Sequence, residues 1–444
     1  MSTKYDFDVL YIGAGHGTFD GAIPLAASGV SVGVIESGLI GGTCPNRGCN
    51  AKITLDEPVK ISREAKRLGN IFDGNLSINW TKNVEHKQEI IDPLPDMLGG
   101  GLESNGATII KGHAQFKDDH TVVVDGTKEV IADKIVISTG LKPHRLDIPG
   151  SDLAHDSEEF MNLKKMPARV VIVGSGYIGM EFATIASEVG AKVTVLLHSD
   201  KALRKFYQPY VEDIIADLKK RGVTFVKNAN VQSFERKDDT FTVNYGDSQT
   251  LTTDWILDAT GRIPNLDSLG LEKIGVKYDK SGIFVNDHLQ TNIINIYASG
   301  DVISSDQPKV TPAAAFESLY LMKLFSGKTD AAIEFPVIPS VVFTSPRIAK
   351  AGISVEEAKE KGYQITELDQ SKNWYYGVDK ETLAKSIQIH DPDGHLVGVT
   401  EVSDQAQDVI NALLPAIQLK LNRDQVESIV GLFPTIGFDA WSRV

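Results

Sequence analysis

The strongest constraint on the fold is a unit that occurs twice. Residues 8–12 (DVLYI) carry the apolar run of a buried strand. Gly13-Ala14-Gly15-His16-Gly17-Thr18 follows, then a helical stretch through Ser28, then a strand from Val32 to Ile35 that ends in Glu36. From Arg169 the order recurs: a strand at Val170 to Val173, Gly174-Ser175-Gly176-Tyr177-Ile178-Gly179, a helix through Val189, and a strand from Val193 to Leu196. Such a βαβ unit lets backbone approach a pyrophosphate at its glycines and places the anion at a helix N-terminus. One glycine pattern is weak evidence, whereas two in this context are far more specific. The chain is read as α/β, with two Rossmann-like dinucleotide-binding domains.

The two units differ. Thr18 stands where a third glycine is usual, which predicts looser helix–strand packing. Glu36 lies 23 positions after Gly13 and would accept from a ribose hydroxyl; the same offset from Gly174 falls on Leu197. The second unit thus lacks the acid that favours the 2′-hydroxyl of NAD. His198 and Arg204, with Lys201 and Lys205 beside them, would suit the 2′-phosphate of NADP. The alternative is a solvated basic turn. His16 reads as a solvated loop residue.

The only two cysteines of the 444 residues stand in Gly41-Gly42-Thr43-Cys44-Pro45-Asn46-Arg47-Gly48-Cys49-Asn50-Ala51-Lys52, a Pro/Gly-rich loop before a stretch able to start a helix. Buried unrelated thiols are one reading. Structural zinc wants four ligands and no His/Cys cluster accompanies the pair, so no metal site is expected. A redox pair remains, and Lys52 supplies a positive charge of the kind that lowers a thiol pKa.

Net charge is −14, which argues against nucleic acid and anionic membrane as partners. Met1 to Asp8 is polar and does not read as a signal peptide. No apolar run reaches the ~18 residues of a membrane span. Two cysteines suit a reducing cytoplasm, where a disulfide is catalytic rather than structural. The length suggests about three domains of about 150 residues.

Between residues 53 and 130 the pattern mixes helices and short strands without evident chemistry. Asp133 to Gly140 reads as a strand and turn closing one face of the first site. Ala259 to Asn265 (ATGRIPN) ends the second unit. Tyr297-Ala298-Ser299-Gly300-Asp301 follows a strand-like Ile293 to Ile296, and Asp301 is placed to bond a ribityl or ribose hydroxyl. From Phe335 the texture changes: a strand at 341–343, a capped helix from Ser354 to Gly362, a strand at 394–402, and helices at 404–420 and 423–430. This part has no glycine phosphate loop and reads as an α+β domain forming an oligomer interface. The expected domains are 1–149 with 266–334 for FAD, 150–265 for NAD(P)H, and 335–444 for dimerisation.

These motifs together resemble the two-cysteine pyridine nucleotide-disulfide oxidoreductases, FAD flavoproteins that include dihydrolipoamide dehydrogenase, glutathione reductase and mercuric reductase. GGTCPNRGC, GSGYIGMEFA, ATGRIPN, ASGD and VVFTSPRIAKAGISVEEA match in order over nearly the whole chain. The resemblance implies FAD and NADPH, or NADH, as cofactors, and a homodimer. It implies that Gly13, Gly15 and Glu36 hold FAD adenosine and pyrophosphate, with Asp301 on the flavin side. Gly42, Thr43, Thr139, Gly140, Gly261, Arg262 and Gly300 join the cofactor-binding set. Gly174, Gly176 and Gly179 would hold the nicotinamide dinucleotide, Tyr177 would gate the flavin, and His198 and Arg204 would meet the NADPH phosphate. Cys49 would face the flavin and Cys44 the substrate, with Lys52 near flavin N5 and paired with Glu181.

The sequence departs from that family at its C-terminal end. The two-cysteine reductases usually carry HxHPTxxE there, whose histidine acts across the dimer interface; here Gly431-Leu432-Phe433-Pro434-Thr435-Ile436-Gly437-Phe438 puts Phe433 at the histidine and Phe438 at the glutamate. Asp439 stands one step late, and Ala51 replaces a proline after the second cysteine. General acid–base catalysis is worth about 10²–10⁴-fold, and a basic thiolate leaving group needs it. The expected substrate is therefore a small thiol-reactive oxidant such as hypothiocyanous acid, whose thiocyanate leaves without a proton. A low-molecular-weight disulfide, with His395 or water as acid, and a non-turnover redox sensor are the alternatives.

Overall fold

The computed structural model describes residues 5–74 and 76–444, so the reading of the first four residues lies outside the described residues. Two compact units emerge. One comprises 1–52, 86–144 and 262–335; the other comprises 53–85, 145–261 and 336–444.

The core of the first unit is a parallel sheet. Phe7–Ile12 lies between Val32–Glu36 and Lys128–Ile137, with Thr108–Lys111 beyond Val32–Glu36 and Ile296–Ala298 on the far side of Lys128–Ile137. Leu10, Tyr11, Val34, Ile135 and Ile137 are buried to 1% exposure or less. A strand covered on both faces needs such a continuous apolar run. Ala114–Phe116 and Thr121–Val124 add an antiparallel meander. The helix Phe19–Ala27 packs on the helix Thr311–Phe325 through Gly21, whose amide donates to Ser318 Oγ at 2.9 Å. A Cβ at Gly21 would come within 2.1 Å of the Ser318 carbonyl oxygen.

The second unit repeats the parallel arrangement with Thr224–Val226, Lys192–Leu196, Arg169–Val173 and Trp255–Asp258 in that order. The glycine turns superimpose in logic: Gly13 N–H donates to Ile35 O at 2.8 Å and Gly174 N–H to Leu196 O at 2.9 Å. Both glycines are left-handed, with φ +101° and +112°. The C-terminal part is a five-stranded antiparallel sheet, ordered Ser340–Val342, Arg347–Gly352, Leu396–Ser403, Lys385–His390 and Gln364–Asp369. Its inner face carries the helix Ala406–Gln418, whose Val409, Ile410, Leu413 and Ala416 bury against Ala349, Ala351, Leu396 and Val399. The helix Val355–Lys361 has the expected caps: Ser354 Oγ accepts from Glu357 N–H, and Gly362 is left-handed. Among the described residues no helix is long and apolar enough to cross a membrane.

Four readings need correction. The cysteine loop contains a helical turn, Thr43–Arg47. Thr18 does not loosen its turn: it is fully buried, and its hydroxyl donates to Gly13 O at 2.7 Å, so the side chain bonds the backbone it packs on. The strand expected at 293–296 is displaced to Ile296–Ala298, because Thr291 Oγ1 accepts from Ile293 N–H and bends the chain there. The last predicted helix is shorter, Arg423–Glu427, started by an Asn422–Gln425 capping box.

Candidate functional site

The cysteine pair is assembled by the turn around it. Gly48 separates the helix Thr43–Arg47 from the helix Cys49–Leu68. A Cβ there would meet Thr43 O at 2.9 Å and Cys44 Cα at 3.1 Å, so only glycine lets the chain fold back this closely. Asn46 Nδ2 donates to the carbonyls of Ile40 and Gly42, both at 2.9 Å, and pins the loop. Cys44 is half-buried and Cys49 exposed. A hydrogen bond to Cys49, then burial, pushes the Cys44 thiol far above its ordinary range. Cys49 Sγ lies 3.7 Å from the hydroxyl of Thr311, the first residue of its helix. Lys52, one turn beyond Cys49, is buried.

Around the first glycine turn, Glu36 accepts from Ala14 N–H at 2.8 Å through one oxygen and from Gly38 N–H at 2.7 Å through the other. Gly42 crosses close to Gly15: a Cβ on Gly42 would sit 3.0 Å from Gly15 Cα. Thr139 Oγ1 donates to Asn265 O at 2.7 Å, and Arg262 donates to Leu141 O at 2.6 Å and to Thr43 Oγ1 at 3.4 Å. Gly300 is left-handed at φ +77°, and its amide donates to Glu317 Oε2 at 2.6 Å. Burial pushes the Glu317 carboxyl up to about 8 and raises the neighbouring Asp301, which Lys309 and Arg262 pull back down. These residues fit a flavin dinucleotide. A Cβ on Gly15 would meet nothing closer than 3.9 Å, so packing does not explain that glycine, and close approach of a ligand does.

The second turn opens into a cleft of about 680 Å³ within its own unit, lined by Gly174, Gly176, Tyr177, His198, Arg204 and Gly261. Lys201 and Lys205 line it as well. Gly174 and Gly179 are required by packing: their Cβ atoms would come within 2.3 Å of Ala259 O and 2.2 Å of Gly174 O. Gly176 faces open space, which is where a dinucleotide phosphate would approach. Leu197, at the position of the missing acid, is fully buried. Glu181 is buried in the helix Tyr177–Glu188 and accepts from Phe343 N–H at 2.9 Å. His16 is half-buried, with Nδ1 2.7 Å from Asp20 Oδ2.

At the C-terminal end, Phe433 is 61% exposed. Its ring centroid lies 5.3 Å from that of Phe438 and 5.8 Å from that of Trp374. Asp439 is engaged: Oδ1 accepts from Asn373 Nδ2 at 2.8 Å, Oδ2 forms an ion pair with Arg443 Nε at 3.1 Å, and Arg443 Nε donates to the Asp439 carbonyl at 3.2 Å. His395 is held by Asp391 at 3.0 Å inside a hairpin turn. Asp391, Asp393 and His395 bring ligand atoms within 4.8 Å of one another, but Asp391 already accepts from the amides of Asp393 and His395.

Sequence reading missed Thr311 and Glu317. Each carried a signal: Thr311-Pro312 is a helix start, and Glu317 is the one carboxyl in a largely apolar helix.

Residues 7–318 match the family described as pyridine nucleotide-disulphide oxidoreductase, and residues 338–440 match its dimerisation domain. The dihydrolipoyl dehydrogenase of Geobacillus stearothermophilus is 30% identical, covering 97% of this chain and 94% of its own. The mercuric reductase of Lysinibacillus sphaericus is 32% identical, covering 97% and 81%. The solved HOCl-induced flavoprotein disulfide reductase RclA from Escherichia coli is similar with TM-score 0.89 at 25% identity, covering 99% of this chain and 100% of that one.

Proposed function

Because the chain belongs to the pyridine nucleotide-disulfide oxidoreductase family and is a flavoprotein enzyme using FAD and NAD(P)H, we propose that it reduces a small thiol-reactive oxidant through Cys44 and Cys49, with hypothiocyanous acid as the concrete candidate. The observation that carries the reading is Phe433 with Phe438 where the family's acid pair belongs, together with the engagement of Asp439 by Asn373 and Arg443. The description of the E. coli relative as HOCl-induced supports an oxidant substrate.

FAD, when bound, supplies two-electron transfer between the nicotinamide and the cysteine pair. Gly13, Gly15, Glu36, Gly42, Thr43, Thr139, Gly140, Gly261, Arg262, Gly300 and Asp301 are the residues assigned to hold it, and Glu317 fixes the Gly300 amide beside them. Gly174, Gly176, Gly179 and Tyr177 are assigned to the nicotinamide dinucleotide. NADPH is the preferred form in this reading, because Leu197 offers no carboxylate while Arg204, Lys201 and Lys205 offer cations, with His198 beside them.

In this reading Cys49 reacts as the thiolate, while its hydrogen bond to Cys44 and the burial of Cys44 keep the Cys44 thiol protonated. Cys44 sulfur attacks the sulfur of hypothiocyanous acid, its proton leaves with the hydroxide as water, and a Cys44–SCN adduct forms. Cys49 then attacks Cys44, the disulfide closes, and thiocyanate departs unprotonated. The net change is oxidation of one dithiol and reduction of one HOSCN, and no external acid is required. The dimerisation-domain match supports a homodimer, and a reducing cytoplasmic setting belongs to the same reading.

NADPH oxidation by the purified yellow protein tests this. Turnover with hypothiocyanous acid should exceed that with glutathione disulfide or lipoamide by at least 10²-fold. Rapid turnover with either disulfide would refute the proposal in favour of a low-molecular-weight disulfide reductase, the activity class of the dihydrolipoyl dehydrogenase relative.

A further inference from the structure

The basic segment of the nucleotide cleft is held from outside the cleft. Lys201, Arg204 and Lys205 line it, on a stretch that is neither helix nor strand. Its backbone is anchored at one side: Leu203 N–H donates to Ser175 O at 3.0 Å, in the glycine turn, and Phe206 N–H donates to Leu203 O at 2.8 Å. Leu203 adopts φ +42°, a left-handed conformation that leucine rarely takes. Gln208 Nε2 donates to the carbonyls of Ala202, Leu203 and Phe206, the last at 3.0 Å, and a hold from outside the segment is present as well.

Lys350 provides one. It lies on the strand Arg347–Gly352 of the C-terminal sheet, opposite Ser340 in the ladder, and it is absent from the cleft lining. Its ammonium donates to Lys205 O and stands 5.2 Å from the centroid of Phe206. Phe206 is buried and packs edge-to-face on Tyr177 at 5.6 Å. One lysine thus fixes the backbone that carries Arg204 and Lys205 and, through Phe206, backs the ring at the mouth of the glycine turn. The carbonyl and the ring face together cradle the charge, a geometry available to a cation and not to a neutral side chain. Burial and the neighbouring Lys205 lower the Lys350 pKa, which Glu356 partly offsets.

We propose that Lys350 is a positioning residue for NADPH: it sets the placement of the Lys201–Phe206 segment and thereby the discrimination between NADPH and NADH. The inference rests on the reading that this cleft takes NADPH. It does not require Lys350 to touch the nucleotide.

The test uses the FAD-loaded protein and three forms: wild type, Lys350→Met, which keeps the aliphatic stem, and Lys350→Arg, which keeps the charge. NADP⁺ and NAD⁺ binding are titrated directly, and KM and kcat are measured with NADPH and NADH. The expected result is a three- to tenfold loss of NADP⁺ affinity and rise in the KM for NADPH in Lys350→Met. NAD⁺ affinity and kcat at saturating NADPH should fall by less than NADP⁺ affinity, and Lys350→Arg should recover most of the loss. A wild type that prefers NADP⁺ with an indistinguishable Lys350→Met would overturn the role of Lys350 alone. A loss shared equally by both nucleotides and by kcat would overturn it too, because that is the signature of general unfolding. A wild type that prefers NAD⁺ or binds neither would overturn the NADPH reading and this inference with it.

Discussion

Cys44 and Cys49 set the chemistry at the scale of single residues. Their mutual hydrogen bond couples the pair, and together with burial it pushes the Cys44 thiol above its ordinary range. A Cys44→Ser variant should bind FAD normally, show a flavin–thiolate absorbance from Cys49, and lose turnover by at least ~10²-fold; unaltered turnover would remove Cys44 from the mechanism. Glu381 illustrates a different residue-scale effect. Burial, then the charge of Asp404, pushes its carboxyl up to about 9, while its Oε1 accepts from Asp404 N–H. The folded state therefore binds a proton that the unfolded chain releases near 4.5. This contribution is complete below that pH and is lost as pH rises through about 9. Glu381→Gln keeps the acceptor and removes the titration. Its unfolding free energy in urea should fall less steeply than the wild type's between about pH 6 and 8.5. Parallel pH profiles for the two proteins would contradict the assignment.

At the scale of elements, the two glycine turns separate packing from ligand approach. Gly179→Ala would drive a Cβ to 2.2 Å from Gly174 O and should disrupt the second βαβ unit, read as a lowered melting temperature. Gly176→Ala has room in the fold. It should leave the melting temperature and FAD content intact and raise the KM for NADPH by about tenfold, since a methyl there displaces a phosphate from the turn by roughly an ångström. Equal effects at both positions would refute the distinction. These turns were legible in sequence because every determinant is local: a run of apolar residues, glycines at fixed spacing, and the capped helix from Ser354 to Gly362. What was not legible depends on distant partners. Thr18 looks like a defect until its hydroxyl finds Gly13 O. The turn Thr43–Arg47 is too short for periodicity to reveal. Lys350 looks like any surface lysine until the fold places Phe206 and the Lys205 carbonyl against it.

For the whole molecule, the cofactor scaffold is that of the family, and the departure lies at the C-terminal end. The family's position for a histidine acid is occupied by an exposed aromatic side chain, and the next carboxylate, Asp439, is spent on Arg443 and Asn373. The motifs revealed the missing acid directly; that Asp439 is bonded to Asn373 and paired with Arg443 was visible only once its partners were placed. The central claim is that the substrate needs no acid beyond the Cys44 proton, because thiocyanate departs unprotonated. The most direct measurement is single-turnover reoxidation of the NADPH-reduced protein, wild type against Phe433→His, by hypothiocyanous acid and by glutathione disulfide. The account predicts fast reoxidation by hypothiocyanous acid, equal in both proteins within about twofold, and slow reoxidation by glutathione disulfide that the new histidine accelerates by at least about tenfold. Slow reoxidation of the wild type by hypothiocyanous acid, or acceleration of that step by the histidine, would contradict it.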